Sequence, residues 1–251
     1  GGGHYDSWFL LPLVVAWLAW EKNVGDGPED NGLISTLRTP LSALAIGLSV
    51  GIKWMSLPVL GLFAWRYRQR WLSALGLLLL GGLPIVIAAL PFCQLHPFSC
   101  PVIPLSSPFV IYGRSAALIP QFVAHLWPAS IKANWIYALP LLGVVLWNFR
   151  RSVSITQFIE RYLVALMLLS PIIHAWYFTW LVPFAVATRN WGTRLVSLSV
   201  FIYFALPYGL ALGLESWRLS AVQYSFLWIP FVSGLLYSFA HRSMHRSDGS
   251  A

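Results

Sequence analysis

Apolar runs and short polar connections alternate along the chain, with runs at residues 8–20, 39–52, 55–65, 71–92, 133–149, 162–173, 177–188, 195–213 and 221–240. Each run predicts a membrane helix. Several are shorter than the roughly 20 residues that a straight spanning helix needs, so the pattern predicts short, broken helices in an all-α bundle. Segment 93–132 departs from the alternation. Its prolines (Pro97, Pro101, Pro104, Pro108, Pro120, Pro128) exclude a long regular helix, while Val102, Ile103, Phe109, Val110 and Ile111 stay apolar. It is expected to lie on the membrane surface and roof a cavity.

Composition agrees with the pattern. With 58% hydrophobic residues, 10% charged residues and a mean hydropathy of +0.69, the chain reads as an integral membrane protein rather than a globular domain with a large core. No repeat, nucleotide-binding glycine loop, heptad or low-complexity tract suggests a second domain. Residues 1–251 are therefore read as a single transmembrane domain, with 93–132 an extracytoplasmic loop within it. The chain opens at Gly1 and enters an apolar run almost at once, which predicts that it is the C-terminal portion of a longer polytopic protein.

The net charge of +8 would suit nucleic acid, but its distribution argues against that partner. Basic residues fall in the connections, where they orient a protein in the bilayer. Arg38 precedes the pair 39–52 and 55–65, and Arg66, Arg68 and Arg70 follow it, so Lys53 is expected at the turned apex of a hairpin. Arg150, Arg151 and Arg161, with Arg189 and Arg194, flank 162–173 and 177–188 in the same way and make His174 a second apex. The basic clusters at 22–38, 66–70, 150–161, 189–194 and 241–246 then share the cytoplasmic face. His4, Asp6, Lys53, segment 93–132, His174, Glu215 and Arg218 share the other. Nine crossings of the plasma (inner) membrane satisfy this arrangement.

Ionisable groups at the edge of membrane segments usually have a functional reason. Gly1-Gly2-Gly3-His4-Tyr5-Asp6-Ser7 combines a permissive backbone with an imidazole and a carboxylate. Helix N-capping explains Asp6 and Ser7 but not His4. Lys53 follows Gly47 and Gly51 and precedes Pro58, and it reads either as a point charge for a lipid-linked phosphate or as a snorkelling lysine. Ser170-Pro171-Ile172-Ile173-His174-Ala175-Trp176-Tyr177 carries the sharpest signal, since an imidazole at a helix boundary can donate to a phosphate oxygen or exchange a proton. Trp176 and Tyr177 are weaker evidence, because such rings populate membrane interfaces anyway. Arg114 is a candidate phosphate contact, with an ordinary lipid-headgroup contact as the alternative. Cys93 and Cys100, separated by six residues, leave a roof-pinning disulfide open, and with His96 they have poor spacing for zinc.

Three of these stretches resemble the GT-C-type multi-spanning glycosyltransferases, especially the bacterial polyprenyl-phosphate-mannose-dependent mannosyltransferases. Gly3-His4-Tyr5-Asp6 is similar to a Gly-His-aromatic-Asp element before a membrane helix. Gly51-Ile52-Lys53 followed by Pro58 is similar to that group's helix break, and Ser170-Pro171 through His174, Trp176 and Tyr177 to Pro183 is similar to its Ser-Pro-x-x-x-His-Pro-Trp-Tyr pattern. Ala175 stands where that pattern has proline.

The resemblance implies a GT-C-type bundle with an extracytoplasmic roof. It implies transfer of a hexose, mannose by family, from a polyprenyl-phosphate-linked donor to a glycan or lipid-linked acceptor outside the cytoplasm. Asp6 and His174 would be catalytic, and His4, Lys53, Arg114, Trp176 and Tyr177 would bind substrate. No cofactor is assigned, and a divalent metal at Asp6 stays open. The family's acidic residue in a first outer loop has no counterpart in this chain. A transporter of a lipid-linked or small anionic substrate, and a noncatalytic assembly partner, remain the alternative readings.

Overall fold

The computed structural model describes residues 7–25, 33–95, 98–99, 116–151, 154–213 and 219–247. These are helical apart from one short ribbon, and they pack as two compact units: Gly1–Leu105 with Trp147–Phe158, and Ser106–Leu146 with Ile159–Ala251.

The first unit holds α1 (Leu10–Gly25), α2 (Leu33–Ile52), a 3-10 turn (Trp54–Ser56), α3 (Leu57–Arg66) and α4 (Trp71–Ala89). In α1, Leu13, Ala16, Trp17 and Trp20 recur at helical spacing and are buried. Trp20 stacks on Phe63 of α3 with ring centroids 4.1 Å apart. The Trp17 indole donates to the Thr156 hydroxyl at 2.9 Å, and that hydroxyl donates to the Glu21 carboxylate.

Helix α2 packs against both α1 and α4. Its contact with α4 brings backbone against backbone. A Cβ at Gly47 would lie 2.1 Å from the Gly81 carbonyl oxygen, and a Cβ at Gly81 would lie 2.6 Å from Leu60 Cδ1. Ala43, Gly47 and Gly51 repeat every fourth residue, the small-residue spacing by which helices approach closely in membranes. Only Leu77 and Gly81 of α4 are buried, whereas Leu79, Val86 and Ile87 are more than half exposed.

Among the described residues, α4 is the one helix long and apolar enough to cross a membrane, with a mean hydropathy of 2.3 in its 18-residue window and 11% of that window buried. Low burial separates it from the core helix of a water-soluble domain. Helices α1 and α2 carry shorter apolar stretches, Leu10–Glu21 and Leu37–Ile52. A 3-10 turn (Leu90–Phe92) follows α4, and then an antiparallel ribbon of β1 (Gln94–Leu95) and β2 (Phe98–Ser99) pairs Gln94 with Ser99. Cys93, just before it, is disulfide-bonded, whereas Cys100, the partner considered for the roof-pinning disulfide, lies outside the described residues.

The second unit includes α5 (Ile119–Leu126), 3-10 segments at Pro128–Lys132 and Asn134–Tyr137, and most of α6 (Ala138–Arg150) and α7 (Ile155–Leu169). A 3-10 helix (Ala175–Leu181) then leads into α8 (Val182–Thr188), and α9 (Trp191–Ser199) into a second 3-10 stretch (Val200–Phe204) and α10 (Ala205–Ala211). The long α11 (Ala221–Ser247) closes the unit.

Helices α9 and α11 are antiparallel. The Trp191 N–H donates to Ser238 Oγ at 2.9 Å at one end, and Ser199 Oγ donates to the Leu227 carbonyl at 3.0 Å at the other. Between them, a Cβ at Gly234 would meet the Gly192 backbone nitrogen at 2.7 Å. Near the start of α11, the Tyr224 hydroxyl donates to the Ala117 carbonyl at 2.8 Å and the Trp228 indole to the Ala116 carbonyl at 2.9 Å. These bonds tie down the C-terminal part of the expected roof, where the longest described helix has eight residues.

Several boundaries differ from the hydropathy pattern, among them the start of α2 at Leu33 rather than 39 and the end of α11 at Ser247 rather than 240. Helix α7 begins at Ile155 rather than at 162, and α9 at Trp191 rather than at 195. Glu160, Arg161 and Arg194 interrupt the apolar signal without breaking the helix, because charged residues with long stems are good helix formers. The short runs also gain length from 3-10 geometry. At 2.0 Å per 3-10 residue and 1.5 Å per α residue, residues 175–188 reach about 24 Å.

If the Gly47–Gly81 contact holds the first unit together, Gly47→Ala should lower stability by about 1–3 kcal/mol. Gly76→Ala and Gly82→Ala, whose added Cβ would meet nothing within 4 Å, should be neutral or stabilising, since alanine is the better helix former. Thermal unfolding in detergent checks the opposite signs.

Candidate functional site

Helix α7 ends where Ser170 and Pro171 end it. The Ser170 hydroxyl donates to the Ile172 carbonyl at 2.7 Å and accepts from the Ile172 N–H at 3.3 Å, a local turn that competes with helix continuation. His174 follows in an extended conformation (φ −118°, ψ 155°), and its carbonyl accepts from the Tyr177 N–H at 3.0 Å to open the next 3-10 helix. The imidazole therefore sits at a gap between helices, as the sequence pattern predicts. Ala175 in place of proline does not extend the helix back across this gap.

An aromatic frame holds the ring. Trp176 stacks on His174 with centroids 4.5 Å apart and planes at 14°, and Tyr177 meets it edge-on at 5.3 Å. Tyr177 in turn stacks on the buried Trp180 at 4.2 Å. His174 Nδ1 lies 2.9 Å from the hydroxyl of Tyr203, which is itself 3.5 Å from the Ile173 carbonyl. This geometry serves both charge states of the ring. When imidazole is neutral, the bond forms either with Tyr203 donating to Nδ1, which places the ring hydrogen on Nε2, or with Nδ1–H donating to Tyr203. When it is protonated, Nδ1–H donates to Tyr203, whose own hydrogen can turn to the Ile173 carbonyl. Such a partner suits a histidine that donates to an anion or exchanges a proton.

Lys53 belongs to the first unit. Helix α2 stops at Ile52, Lys53 is extended (φ −153°, ψ 112°), and the 3-10 turn and α3 begin after it. Pro58 lies in the first turn of α3, where proline is tolerated, so it starts a helix rather than breaking one. Buried hydroxyls organise the break. Ser49 Oγ donates to the Phe9 carbonyl at 2.8 Å and lies 2.7 Å from Ser56 Oγ. The entrance to α1 is thereby fastened beside the Lys53 turn, within the same unit.

His174, Trp176 and Tyr177 thus come together as one cluster, and Lys53 occupies the helix break expected for it. His4, Asp6 and Arg114 lie outside the described residues. Tyr203 was not legible as a site residue, because it lies 29 positions from His174 inside an apolar run that contains other aromatics. Glu160 was not legible either. Although it is next to Arg161, it is 2% exposed and accepts a hydrogen bond from Asn190 Nδ2. Asn190 also caps α9 by accepting from the Thr193 N–H at 3.2 Å, so Glu160 positions the start of the helix that leads to Tyr203.

Comparisons with protein-family models, with curated proteins and with solved structures return no match.

The Tyr203 bond makes a spectroscopic prediction. In histidine-15N-labelled protein above the titration range of the ring, His174 should populate predominantly one tautomer, Nε2–H if Tyr203 donates to Nδ1, and Tyr203→Phe should change the tautomer ratio. An unchanged pair of ring-nitrogen shifts in the variant would show that Tyr203 does not set the tautomer.

Proposed function

We propose that this chain is a multi-pass, GT-C-type membrane glycosyltransferase that moves a hexose, mannose by resemblance, from a polyprenyl-phosphate donor to an extracytoplasmic glycan or lipid-linked acceptor. The observation that carries the reading is His174, an imidazole at a helix gap, stacked on Trp176 and bonded through Nδ1 to a hydroxyl that can serve either charge state. The Lys53 break and the largely exposed apolar surface of α4 support the same setting.

In this reaction an acceptor hydroxyl attacks the anomeric carbon while the lipid phosphate leaves with the bonding electrons. Negative charge on the leaving phosphate grows in the transition state, and donors aimed at it lower the barrier. In the second unit His174, through Nε2–H, takes this role; Lys53 in the first unit, as a compact cation, and Arg114 are candidate phosphate contacts by the resemblance alone. Asp6 accepts the acceptor's proton or orients it, or holds a divalent metal, and His4 lies beside it on the same short segment. Trp176 and Tyr177 supply aromatic faces for the sugar. The proposed topology keeps the basic clusters on the cytoplasmic face and these residues on the other.

His174→Ala and Lys53→Ala in the reconstituted protein should each reduce transfer from a polyprenyl-phosphate hexose at least about 100-fold. Full activity in both variants would remove the site. For topology, cysteines introduced in place of Ser106 and Arg68 should label from opposite sides of sealed vesicles. Labelling of both from the same side would overturn the orientation.

A further inference from the structure

A second constellation sits at the other end of the second unit from His174. From Trp191 through α9 and the 3-10 stretch to Tyr203 the chain rises about 20 Å, so the two places are separate. At the Trp191 end, a cavity of about 540 Å³ is lined by Thr188, Arg189, Trp191, Arg194, Ser238 and His241. Among the described residues that line it none is acidic, and the buried carboxylate of Glu160, distant in sequence, accepts from the neighbouring Asn190.

The basic groups come from three different elements. Arg189 ends α8, Arg194 lies in α9 with its guanidinium 5.1 Å above the Trp191 ring, and His241 lies in α11 with its ring 5.9 Å from that of Tyr237. Like charges gathered in one concavity repel one another unless an anion occupies it. The backbone adds a second observation. Arg189 is left-handed (φ 55°), and among the described residues it is the one non-glycine with positive φ. Its N–H and that of Asn190 close the end of α8 on the Val186 and Ala185 carbonyls at 3.4 and 3.1 Å. Glycine fills such a helix-ending position without steric cost, whereas arginine does not. Strain of this kind at a cavity mouth points to use of the side chain.

The neighbouring surface identifies the kind of anion. A second cavity of about 350 Å³ is lined by Trp191, Leu195, Ser233, Gly234 and Tyr237, so the two share the Trp191 ring. A basic mouth continuous with a largely apolar groove suits a phosphate attached to an acyl chain better than a free phosphate ion.

We propose that this cavity binds the phosphate of an anionic phospholipid, with Arg189 and Arg194 as its principal contacts and an acyl chain in the neighbouring groove along Leu195, Ser233 and Gly234, which the edge-to-face pair of Trp191 and Tyr237 (ring centroids 6.1 Å apart) borders. The proposal needs the membrane setting but not glycosyl transfer, so the two readings can fail separately.

Phosphatidylglycerol, phosphatidylcholine and inorganic phosphate, each added to the purified chain in neutral detergent, distinguish the sources by thermal shift. Phosphatidylglycerol alone should raise the unfolding temperature. In Arg189→Gly the basal unfolding temperature should hold or rise as the left-handed strain is relieved, while half-saturation by phosphatidylglycerol should weaken about tenfold or more. Arg194→Gln should weaken it comparably without that basal gain. An equal response to phosphatidylcholine, or a phosphatidylglycerol response unaltered in both variants, would overturn the site. A full response to inorganic phosphate would overturn the lipid as its occupant.

Discussion

Backbone-to-backbone contact between helices is the constraint on which both units depend. With a methyl at Gly47 only 2.1 Å from the Gly81 carbonyl oxygen, α2 and α4 keep their separation only while Gly47 has no side chain. The second unit repeats the device with Gly192 and Gly234. In the proposed membrane setting lipid offers no hydrophobic drive to bring greasy helices together, so close packing of small residues would supply the attraction. This explains how α4 can be rich in leucine and still expose most of it: its recognition of α2 lies in a narrow strip around Leu77 and Gly81.

Polar side chains serve a complementary purpose. Where a helix stops inside an apolar bundle, its backbone groups need partners that water cannot provide. Ser49 and Ser56 are fully buried beside the Lys53 break. Ser170 satisfies the turn before His174, and Asn190, steadied by Glu160, caps α9. The breaks are therefore built features, and each leaves an ionisable or cationic side chain at or next to non-helical backbone.

The breaks were legible in the sequence because their causes are local. Ser170-Pro171 can be recognised without knowing what packs on it, and a lysine between two apolar runs marks its own turn through the flanking charges. What could not be read is what depends on partners distant in the chain. Gly47 signals a close approach but not that Gly81 receives it. Tyr203 looks like any aromatic of its run until it is found 2.9 Å from His174 Nδ1. The burial of Glu160 is hidden from a hydropathy pattern, which averages over neighbours such as Arg161, whereas burial depends on which face of α7 a residue occupies. The 3-10 stretches escaped for a related reason, since they change the rise per residue and leave the apolar pattern intact.

The glycine contact and the histidine site are mechanically linked through α9. Gly192 sets where α9 lies along α11, the Asn190 cap fixes its start, and Tyr203 lies only four residues beyond its end. A slip of one helical turn would move Tyr203 by about 5.4 Å, far more than a 2.9 Å hydrogen bond to His174 can absorb. The position of the phenol, and through it the ring hydrogen of His174, is thus set by a packing contact near the opposite end of the helix. Residues without any chemistry of their own, Gly192 and Gly234, thereby determine whether His174 is oriented.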